Sequence, residues 1–599
     1  MLKKILIYWL IIVASQLWAE EYYINKIKFD GNNVISSSKL KKKLSLQTKS
    51  FSKQLLFWSK GPVYEEYYLE DDIKGIISNY QREGFLNVKV DVEKEIVKKN
   101  KINLQFHITE NQYIVVQKIE FQITNADTAI SEELLKLIEV NKGKWSLPSS
   151  DRFRDVEVIS FQKKLYSLLM ENGFPSPEIS YIIILDDPPQ NASIIYTISP
   201  GEFCRFGDIK ITGNERTSTP IIKKQVSSNG DLFSQSELEE TQRRIQHLGA
   251  FQFVTMKSLI SEIDNNRIPI EILVKELPEW SVKFGIGYGL EDRFRTSIDL
   301  LKLGFLGGVR KANLFMKYSY LEPYNISLKI TQPALWSTNQ DLIIKPFIKK
   351  EHESAYDLES FGSTLTLQTM LNPGLTTFIT YKFERDNIDL RDGSDDLLNE
   401  YYNKSNLSQG LTYENSSPAF YPDKGFMTSY ILTLSGLKLR SKYHYLQGLI
   451  DLRKYIKLLP GTILASRVKL GAMKPIWGDS VTPLEERFFA GGSTSIRGWN
   501  RSEIGPKDED DRPIGGNSYL EFSAELRYQI HKIIYLVAFM DAGNVWPEYD
   551  QHDLTDLQYS PGVGVRVKTP IGPIRIDVAK PLWQNNDRIQ FHLSIGQAF

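Results

Sequence analysis

The residue types of this chain that could carry out chemistry form no catalytic motif. Seven histidines are present among the 599 residues, but none lies in a His-Glu-x-x-His pattern or an obvious Ser/His/Asp setting. No Gly-x-Ser-x-Gly sequence, which would mark a nucleophilic serine, occurs either. The only cysteine, Cys204, excludes an intrachain disulfide framework and a Cys-rich metal site, so we interpret it as a small apolar core residue. We therefore expect no enzyme, no cofactor and no metal ion.

One segment, "ERFFAGGSTSIRGWNRSEIGP" at 486–506, does combine residue types with chemical potential. Its Gly491-Gly492 pair could suggest a phosphate-binding loop, but no Gly-Lys-Ser/Thr follows and no strand-to-helix switch is visible. An ordinary surface loop is the second interpretation. Against it, Arg497-Gly498-Trp499 presents a permanent charge beside a glycine and a large aromatic side chain. The elements around this segment must therefore determine what the arginine binds.

The charge balance and the N-terminus indicate where the protein works. Lys+Arg and Asp+Glu both total 73, and this zero net charge argues against a broad nucleic-acid-binding surface. Residues 1–19 place two lysines before an apolar run and small residues after it, which predicts a secretory signal peptide. A single-pass anchor is the alternative for this run. Mean hydropathy is −0.30, and no later segment could span a bilayer as a helix. Export therefore leaves a soluble secreted protein or a transmembrane β-barrel.

The first half of the chain, residues 22–277, contains a weak repeat with a spacing of about 90 residues, which suits small domains. Each copy opens with an alternating apolar strand, at Ile27, Ile119 and Ile209. A helix in each copy ends at a glycine, which favours the left-handed conformation of a helix C-cap; these glycines are Gly84, Gly173 and Gly249. Each copy closes with an alternating strand: "INLQFHITE", "ASIIYTISP" and "IPIEILVKE". We therefore predict three α+β units of strand-helix-helix-strand-strand order.

These repeats resemble the polypeptide-transport-associated (POTRA) domain. The resemblance depends on a Gly-Asn after the first strand and a Gly-Phe after the second helix, and the second copy departs from it with Asn125-Ala126. The predicted domains are the signal peptide 1–19, POTRA-like domains 20–110, 111–201 and 202–277, and a barrel over 278–599. A three-stranded sheet leaves an unpaired edge, which could bind an extended client chain through backbone hydrogen bonds. A mere spacer role is the alternative.

The second half alternates apolar and polar residues with period two, as in "WSVKFGIGYGLED" and "YNISLKITQP". Such short alternating segments separated by turns are typical of a transmembrane β-barrel. A soluble β-sandwich alternates too, but the export signal, the aromatic strand ends and the terminal Phe599 favour the barrel. The span of about 320 residues accommodates roughly 16 strands of about 10 residues with their connections. The predicted fold is therefore three POTRA-like units followed by an antiparallel transmembrane β-barrel.

The 486–506 segment resembles the sixth-loop motif of the BamA/TamA superfamily. Ile496, Arg497, Gly498 and Trp499 stand where that family has Val-Arg-Gly-Tyr/Phe, and the tryptophan is a departure. Downstream, "GGNSYLEFSAELRY" and "FMDAGNVW" resemble family strands whose acidic residues fall on Glu525 and Asp541. The resemblance implies that the loop folds into the barrel lumen and that these carboxylates hold Arg497. Carboxylates in a fixed fork would offset the cost of burying a guanidinium.

The resemblance also implies a function at the bacterial outer membrane, with the N-terminal domains in the periplasm. Three repeats and a barrel of this size look most like the TamA branch of the superfamily, which assists insertion or translocation of other proteins. The partners implied are the outer-membrane lipid bilayer, unfolded outer-membrane or secreted client proteins, and a periplasmic or inner-membrane accessory protein. The alternatives are a two-partner-secretion transporter and a passive porin.

Barrel closure requires the first strand to pair with the last one. Gly285, Gly287 and Gly289 fall on one face of the first strand, and Phe599 ends the last strand. Because glycine has no side chain to pack, we predict a weak seam here that opens sideways to admit client strands. The alternative is that the glycines only make room for bulky contents of the lumen, such as the sixth loop.

Overall fold

The structure is a computed structural model of the 599-residue chain. It describes residues 22–48, 62–98, 100–143, 145, 152–226, 231–390, 401–418, 420–436, 440–569, 572–582 and 588–595. The predicted signal peptide 1–19 and Phe599 lie outside the described residues. No helix in the described ranges is both long enough and apolar enough to cross a membrane.

The first half contains three sheets of three strands, each formed from consecutive elements. The first sheet and its helices comprise β1 (Tyr23–Asp30), α1 (Ser37–Lys43), α2 (Glu66–Arg82), β2 (Lys89–Lys98) and β3 (Lys101–Thr109). Strand β3 lies in the centre, parallel to β1 and antiparallel to β2. Its alternate residues Ile102, Leu104 and Phe106 are buried and pack with the apolar face of α2. The period-two alternation of the closing strand thus produces the core of the unit.

The second and third sheets repeat this order of elements. The second comprises β4 (Val115–Ile123), α3 (Thr128–Lys142), α4 (Asp155–Glu171), β5 (Glu178–Leu185) and β6 (Asn191–Ser199). The third comprises β7 (Arg205–Thr212), α5 (Thr219–Lys223), α6 (Gln235–His247), β8 (Phe251–Ser258), a 3-10 turn (Ile260–Glu262) and β9 (Arg267–Glu276). The closing strand is again central, with the orders β4-β6-β5 and β7-β9-β8. The predicted strand-helix-helix-strand-strand order is confirmed, whereas the domain boundaries at 110, 201 and 277 stay predictions.

Residues with positive φ mark the same two points in each copy. Gly84, Gly173 and Gly249 follow a helix at φ of 90°, 93° and 62°, so the predicted left-handed helix ends are confirmed. Gly31 and Gly213 follow the first strands of the first and third copies at φ of 74° and 84°. The second copy has Asn125 at this point, with φ of 56°. Asparagine tolerates the left-handed region better than most residues do, which explains the departure from glycine.

The second half forms one sheet of sixteen strands in chain order. The strands are β10 (Trp280–Gly289), β11 (Arg293–Leu303), β12 (Lys311–Tyr318), β13 (Tyr324–Gln332), β14 (Gln340–His352), β15 (Tyr356–Asn372), β16 (Leu375–Leu390), β17 (Tyr401–Glu414), β18 (Gly425–Ser435), β19 (Tyr445–Leu459), β20 (Thr462–Pro475), β21 (Ser518–His531), β22 (Ile534–Trp546), β23 (Gln558–Val567), β24 (Ile574–Ala579) and β25 (Gln590–Ile595). Every consecutive pair is antiparallel.

This single sheet is a nearly closed barrel, and the β-sandwich alternative is therefore wrong. Apolar side chains on the outer face are exposed, for example Phe284 at 75% and Ile286 at 76%. Charged side chains on the inner face are buried, for example Glu525, Asp541 and Asp577 at 0%. This inversion of the usual burial pattern is what a sheet surrounded by lipid requires.

A glycine substitution tests the turn after the first strand. A side-chain carbon at Gly31 would lie 2.1 Å from the Ile108 carbonyl oxygen, and its φ of +74° is unfavourable for other residues. We expect Gly31→Ala to destabilise the first unit by about 2 kcal/mol or more, since left-handed strain and overpacking add. Gly75, in the middle of α2, has open space around it and serves as the control. Gly75→Ala should be neutral or stabilise by roughly 0.5–1 kcal/mol. Urea unfolding of the detergent-solubilised protein, followed by circular dichroism, would contradict this account if the two variants behaved alike.

Candidate functional site

The connection between β20 and β21, residues 476–517, folds back into the barrel. It contains a 3-10 turn at Leu484–Glu486 and antiparallel bridges that join Phe488 to Gly516 and Ala490 to Ile504. Apolar residues of this loop pack against the inner face of the wall; the buried members of this cluster are Ala490, Ile496, Ile504, Tyr519 and Val545. The Phe488 ring stacks on Tyr519 with 4.5 Å between ring centroids. The loop is therefore a packed hairpin inside the lumen.

Arg497, near the tip of this loop, binds two carboxylates with short contacts. Its Nε and Nη2 donate to the two Asp541 oxygens at 2.7 and 2.8 Å, and its Nη1 donates to Glu525 at 2.6 Å. The backbone N–H of Arg497 also donates to Asp541 at 3.0 Å. The guanidinium lies 3.4 Å from the centre of the Phe539 ring, and the residue is 1% exposed. This bidentate fork is the geometry for which arginine is suited and lysine is not.

The carboxylates around Arg497 belong to a larger network than the sequence analysis foresaw. Asp577 lies 3.4 Å from Arg497 Nη1 and also pairs with Arg566 and Arg575. Glu525 receives further ion pairs from Arg527 at 2.7 Å and Arg566 at 3.2 Å. Glu525 would therefore keep the cations Arg527 and Arg566 as partners if Arg497 were removed. The alternation in "VRV" and "IRIDV" already placed Arg566, Arg575 and Asp577 on one face of their strands, and this was the signal that could have found them.

The neighbours of Arg497 explain the small residue in the motif. Gly498 has a φ of +99°, and a side-chain carbon there would lie 2.2 Å from Ser560 Oγ. Ile496 is 1% exposed and packs in the loop cluster, against which the half-buried Trp499 also lies. Within the motif, Arg497 thus supplies a charge and Gly498 allows the backbone to approach the wall closely. Ile496 and Trp499 supply apolar contacts.

A second buried ionic cluster holds the beginning of the loop. Lys404 of β17 places its Nζ 2.7 Å from Glu486 and 2.9 Å from Glu485, both in the 3-10 turn. The same Nζ lies 2.9 Å from Asp386 and 3.2 Å from Glu384, both on β16. The Lys404 side chain is 2% exposed. This cluster could not be predicted from the sequence, because a lumen-facing lysine on a strand carries no motif.

The seam glycines have different surroundings from one another. A side-chain carbon at Gly285 would lie 2.4 Å from Ser297 Oγ, and one at Gly287 would lie 2.7 Å from Arg295 Nε. These two glycines thus make room for side chains of β11. At Gly289 the nearest atom would be the Leu593 carbonyl oxygen of β25, at 3.9 Å. Within the described residues, no backbone pairing joins β10 to β25, which are the two ends of the sheet.

Comparison with known proteins identifies both halves of the chain. The Omp85 superfamily domain matches residues 305–599, and a POTRA model, described as a surface antigen variable number repeat, matches 22–111 and 204–277. The outer membrane protein assembly factor BamA of Nitratidesulfovibrio vulgaris is 22% identical, over 96% of this chain and 73% of that protein. BamA of Neisseria meningitidis serogroup B is 23% identical, over 96% of this chain and 78% of its own.

A solved structure agrees on the fold. The crystal structure of Haemophilus ducreyi BamA lacking POTRA domains 1–3 is similar to this chain with a TM-score of 0.60 and 20% identity. The match covers 81% of this chain and 99% of that structure. At this identity the likeness establishes the architecture of POTRA units followed by a barrel.

Replacement of Arg497 tests the anchor of the loop tip. We expect Arg497→Ala to release the tip, because breaking a buried, hydrogen-bonded ion pair costs about 3–5 kcal/mol. Arg497→Lys should release it too, since lysine cannot form the fork. Limited trypsin digestion of reconstituted protein measures release as cleavage within 487–507. The control is Arg501→Ala, because Arg501 is 44% exposed and forms a surface-type ion pair with Glu353. An Arg497→Ala loop as resistant as the parent would refute the anchor.

Replacement of Lys404 tests the second cluster. Lys404→Met leaves four carboxylates without their common cation, so we expect a loss of about 3–5 kcal/mol in unfolding free energy. The control is Lys350→Met, since Lys350 is 27% exposed and pairs with Glu359. Urea unfolding in lipid micelles, followed by tryptophan fluorescence, compares the two. Equal midpoints would show that the Lys404 cluster contributes no more than a surface pair.

Proposed function

Since the chain belongs to the Omp85 superfamily, we propose that it is an outer-membrane protein assembly factor of bacteria. Its barrel lies in the outer membrane and its POTRA units lie in the periplasm, as in the BamA relatives. Its clients are unfolded outer-membrane proteins, and its role is non-enzymatic. Assignment to the TamA branch stays a prediction, because the relatives named above are BamA proteins.

The lack of backbone pairing between the described parts of β10 and β25 is the observation that carries the proposal. Sixteen strands pair consecutively, yet the described parts of the two end strands share no backbone hydrogen bonds. Unpaired strand edges bind further strands through backbone groups, whatever the sequence of the incoming strand. We propose that the seam opens sideways so that a client strand pairs with a free edge before it enters the lipid.

The POTRA sheets support a role in guiding clients to that seam. Strands β2, β5 and β8 each form an edge of their sheet. On β5 the edge carries exposed apolar side chains, with Ile182 at 55% and Ile184 at 50%. An extended, partly apolar chain could add to such an edge as a further strand. A periplasmic or inner-membrane accessory protein is a second proposed partner, which would bind to such an edge in the same way.

The alternatives have less support. A passive porin needs no array of periplasmic units, and its lumen would have to be open, whereas here a packed loop fills part of it. A two-partner-secretion transporter would also export a client, but the BamA relatives carry the name of assembly factors. An enzyme would need a reactive constellation, and the charged groups of the lumen bind one another instead.

A cross-link across the seam tests the proposed function. Gly289→Cys together with Ser594→Cys places two thiols on the inner faces of β10 and β25, close to the gap that the Leu593 carbonyl borders. We expect the oxidised protein, reconstituted in liposomes, to lose most of its ability to insert an unfolded outer-membrane client. Reduction of the disulfide should restore it. Protease protection of the client measures insertion.

The same experiment separates the alternatives. A disulfide between β13 and β14, with Ile326→Cys and Ile348→Cys at paired positions, is the control because those strands remain joined by backbone pairing. It should leave insertion unchanged. Full insertion by the seam-locked protein would exclude lateral opening. Steady large conductance without insertion activity in the parent protein would favour the porin.

A further inference from the structure

Glu291 lies in the turn between β10 and β11 and contacts the loop. Its Oε1 accepts a hydrogen bond from the backbone N–H of Ser493 at 2.8 Å. Ser493 follows the two glycines at the base of the loop tip. The first hairpin of the barrel is thereby connected to the loop by a charged acceptor on a backbone donor, which is among the stronger kinds of hydrogen bond.

His592 lies on the inner face of β25, across the seam from Glu291. Its Nδ1 is 3.6 Å from Glu291 Oε1, and its Nε2 accepts a hydrogen bond from the backbone N–H of Gly498 at 3.3 Å. Because Nε2 acts as an acceptor, the proton of the neutral ring is on Nδ1, which faces Glu291. The ring is 6% exposed. One imidazole therefore contacts the loop tip through one nitrogen and the far side of the seam through the other.

Further contacts tie this part of the loop to the last strands. Arg575 of β24 donates to the Ser493 carbonyl oxygen at 2.5 Å and to Ser594 of β25 at 2.8 Å. Arg588, just before β25, pairs with Glu503 of the loop at 2.7 Å. The loop is thus held to β24 and β25 by several groups, whereas Glu291 is its contact with the turn after β10.

We propose that the segment 493–503 is a strap across the seam, and that Glu291 and His592 are the positioning residues that connect the loop to the two end strands. With no backbone pairing between the described parts of β10 and β25, these side-chain contacts join the edges. A loop held by Arg497 keeps the strap in place and the seam shut. Opening the seam requires the strap to release Glu291. Because the two equilibria are coupled, release of the loop favours opening of the seam by the same factor as opening of the seam favours release of the loop. The use of the strap in client insertion rests on the proposed function, but its geometry does not.

Disulfide formation across the seam measures the strap without any client. The reference protein, called the parent, carries Gly289→Cys and Ser594→Cys. The rate of its disulfide formation with a dilute oxidant reports how often β10 and β25 come together. Native Cys204 remains in place, because burial raises the pKa of its thiol to about 11 and keeps it unreactive near neutral pH. We expect Glu291→Ala and His592→Ala each to slow the cross-link by roughly fivefold, the effect of one lost hydrogen bond. Because the two residues share one contact, the double variant should be slowed by far less than the product of the single effects.

Two controls distinguish positioning from general damage. Glu291→Asp keeps the carboxylate and should restore much of the cross-linking rate that Glu291→Ala loses. Glu359→Gln removes the partner of Lys350 between β14 and β15, and should cross-link as the parent does. Parent-like rates for Glu291→Ala and His592→Ala, or equal slowing by Glu359→Gln, would overturn the strap. Slowed cross-linking together with unchanged client insertion would support the strap and refute lateral opening as its use.

Discussion

Arg497 carries a permanent charge into a space where it is 1% exposed, and its pairing is the interaction on which the lumen depends. A guanidinium removed from water is tolerated only where carboxylates meet it in good geometry. Asp541 supplies two oxygens and Glu525 one, from neighbouring strands whose register places Ser523 opposite Asp541. Because a slip of one residue between these strands would turn one of the two carboxylates toward lipid, this ion pair also specifies the register of that part of the wall.

The surrounding charges favour one particular position of the loop in the lumen. Four arginines and three carboxylates alternate around the tip, and most carboxylates contact more than one cation. The Lys404 cluster holds the beginning of the same loop against β16 and β17. The loop is therefore bound to different parts of the wall at its beginning and near its tip. A network of this kind favours a single conformation, since a partly satisfied alternative leaves buried charges unpaired.

Much of the architecture could be predicted from the sequence, and the reason is periodicity. Period-two alternation identified the strands and the number of strands that the chain can supply, and the recurring glycines identified the repeats. The cross-barrel contacts could not be predicted in this way. Alternation places Asp577 on the inner face, but its height relative to Arg497 depends on the register of every strand between them. Lys404 meets a carboxylate 81 residues away, Glu485, with no local signal. The glycines of β10 were predicted to weaken the seam, but the sequence did not show that Gly285 and Gly287 accommodate side chains of the adjacent strand.

A loop packed inside the wall has a consequence for the permeability of the membrane. Barrels of sixteen strands are wide enough to leave a water-filled channel when nothing occupies them. Here a hairpin bound to the wall by buried ion pairs occupies part of that space and narrows the path that is left for polar solutes. The side chains that keep the hairpin in place therefore also limit passage through the barrel. Arg497 thus bears on the permeability of the membrane as well as on the position of the loop.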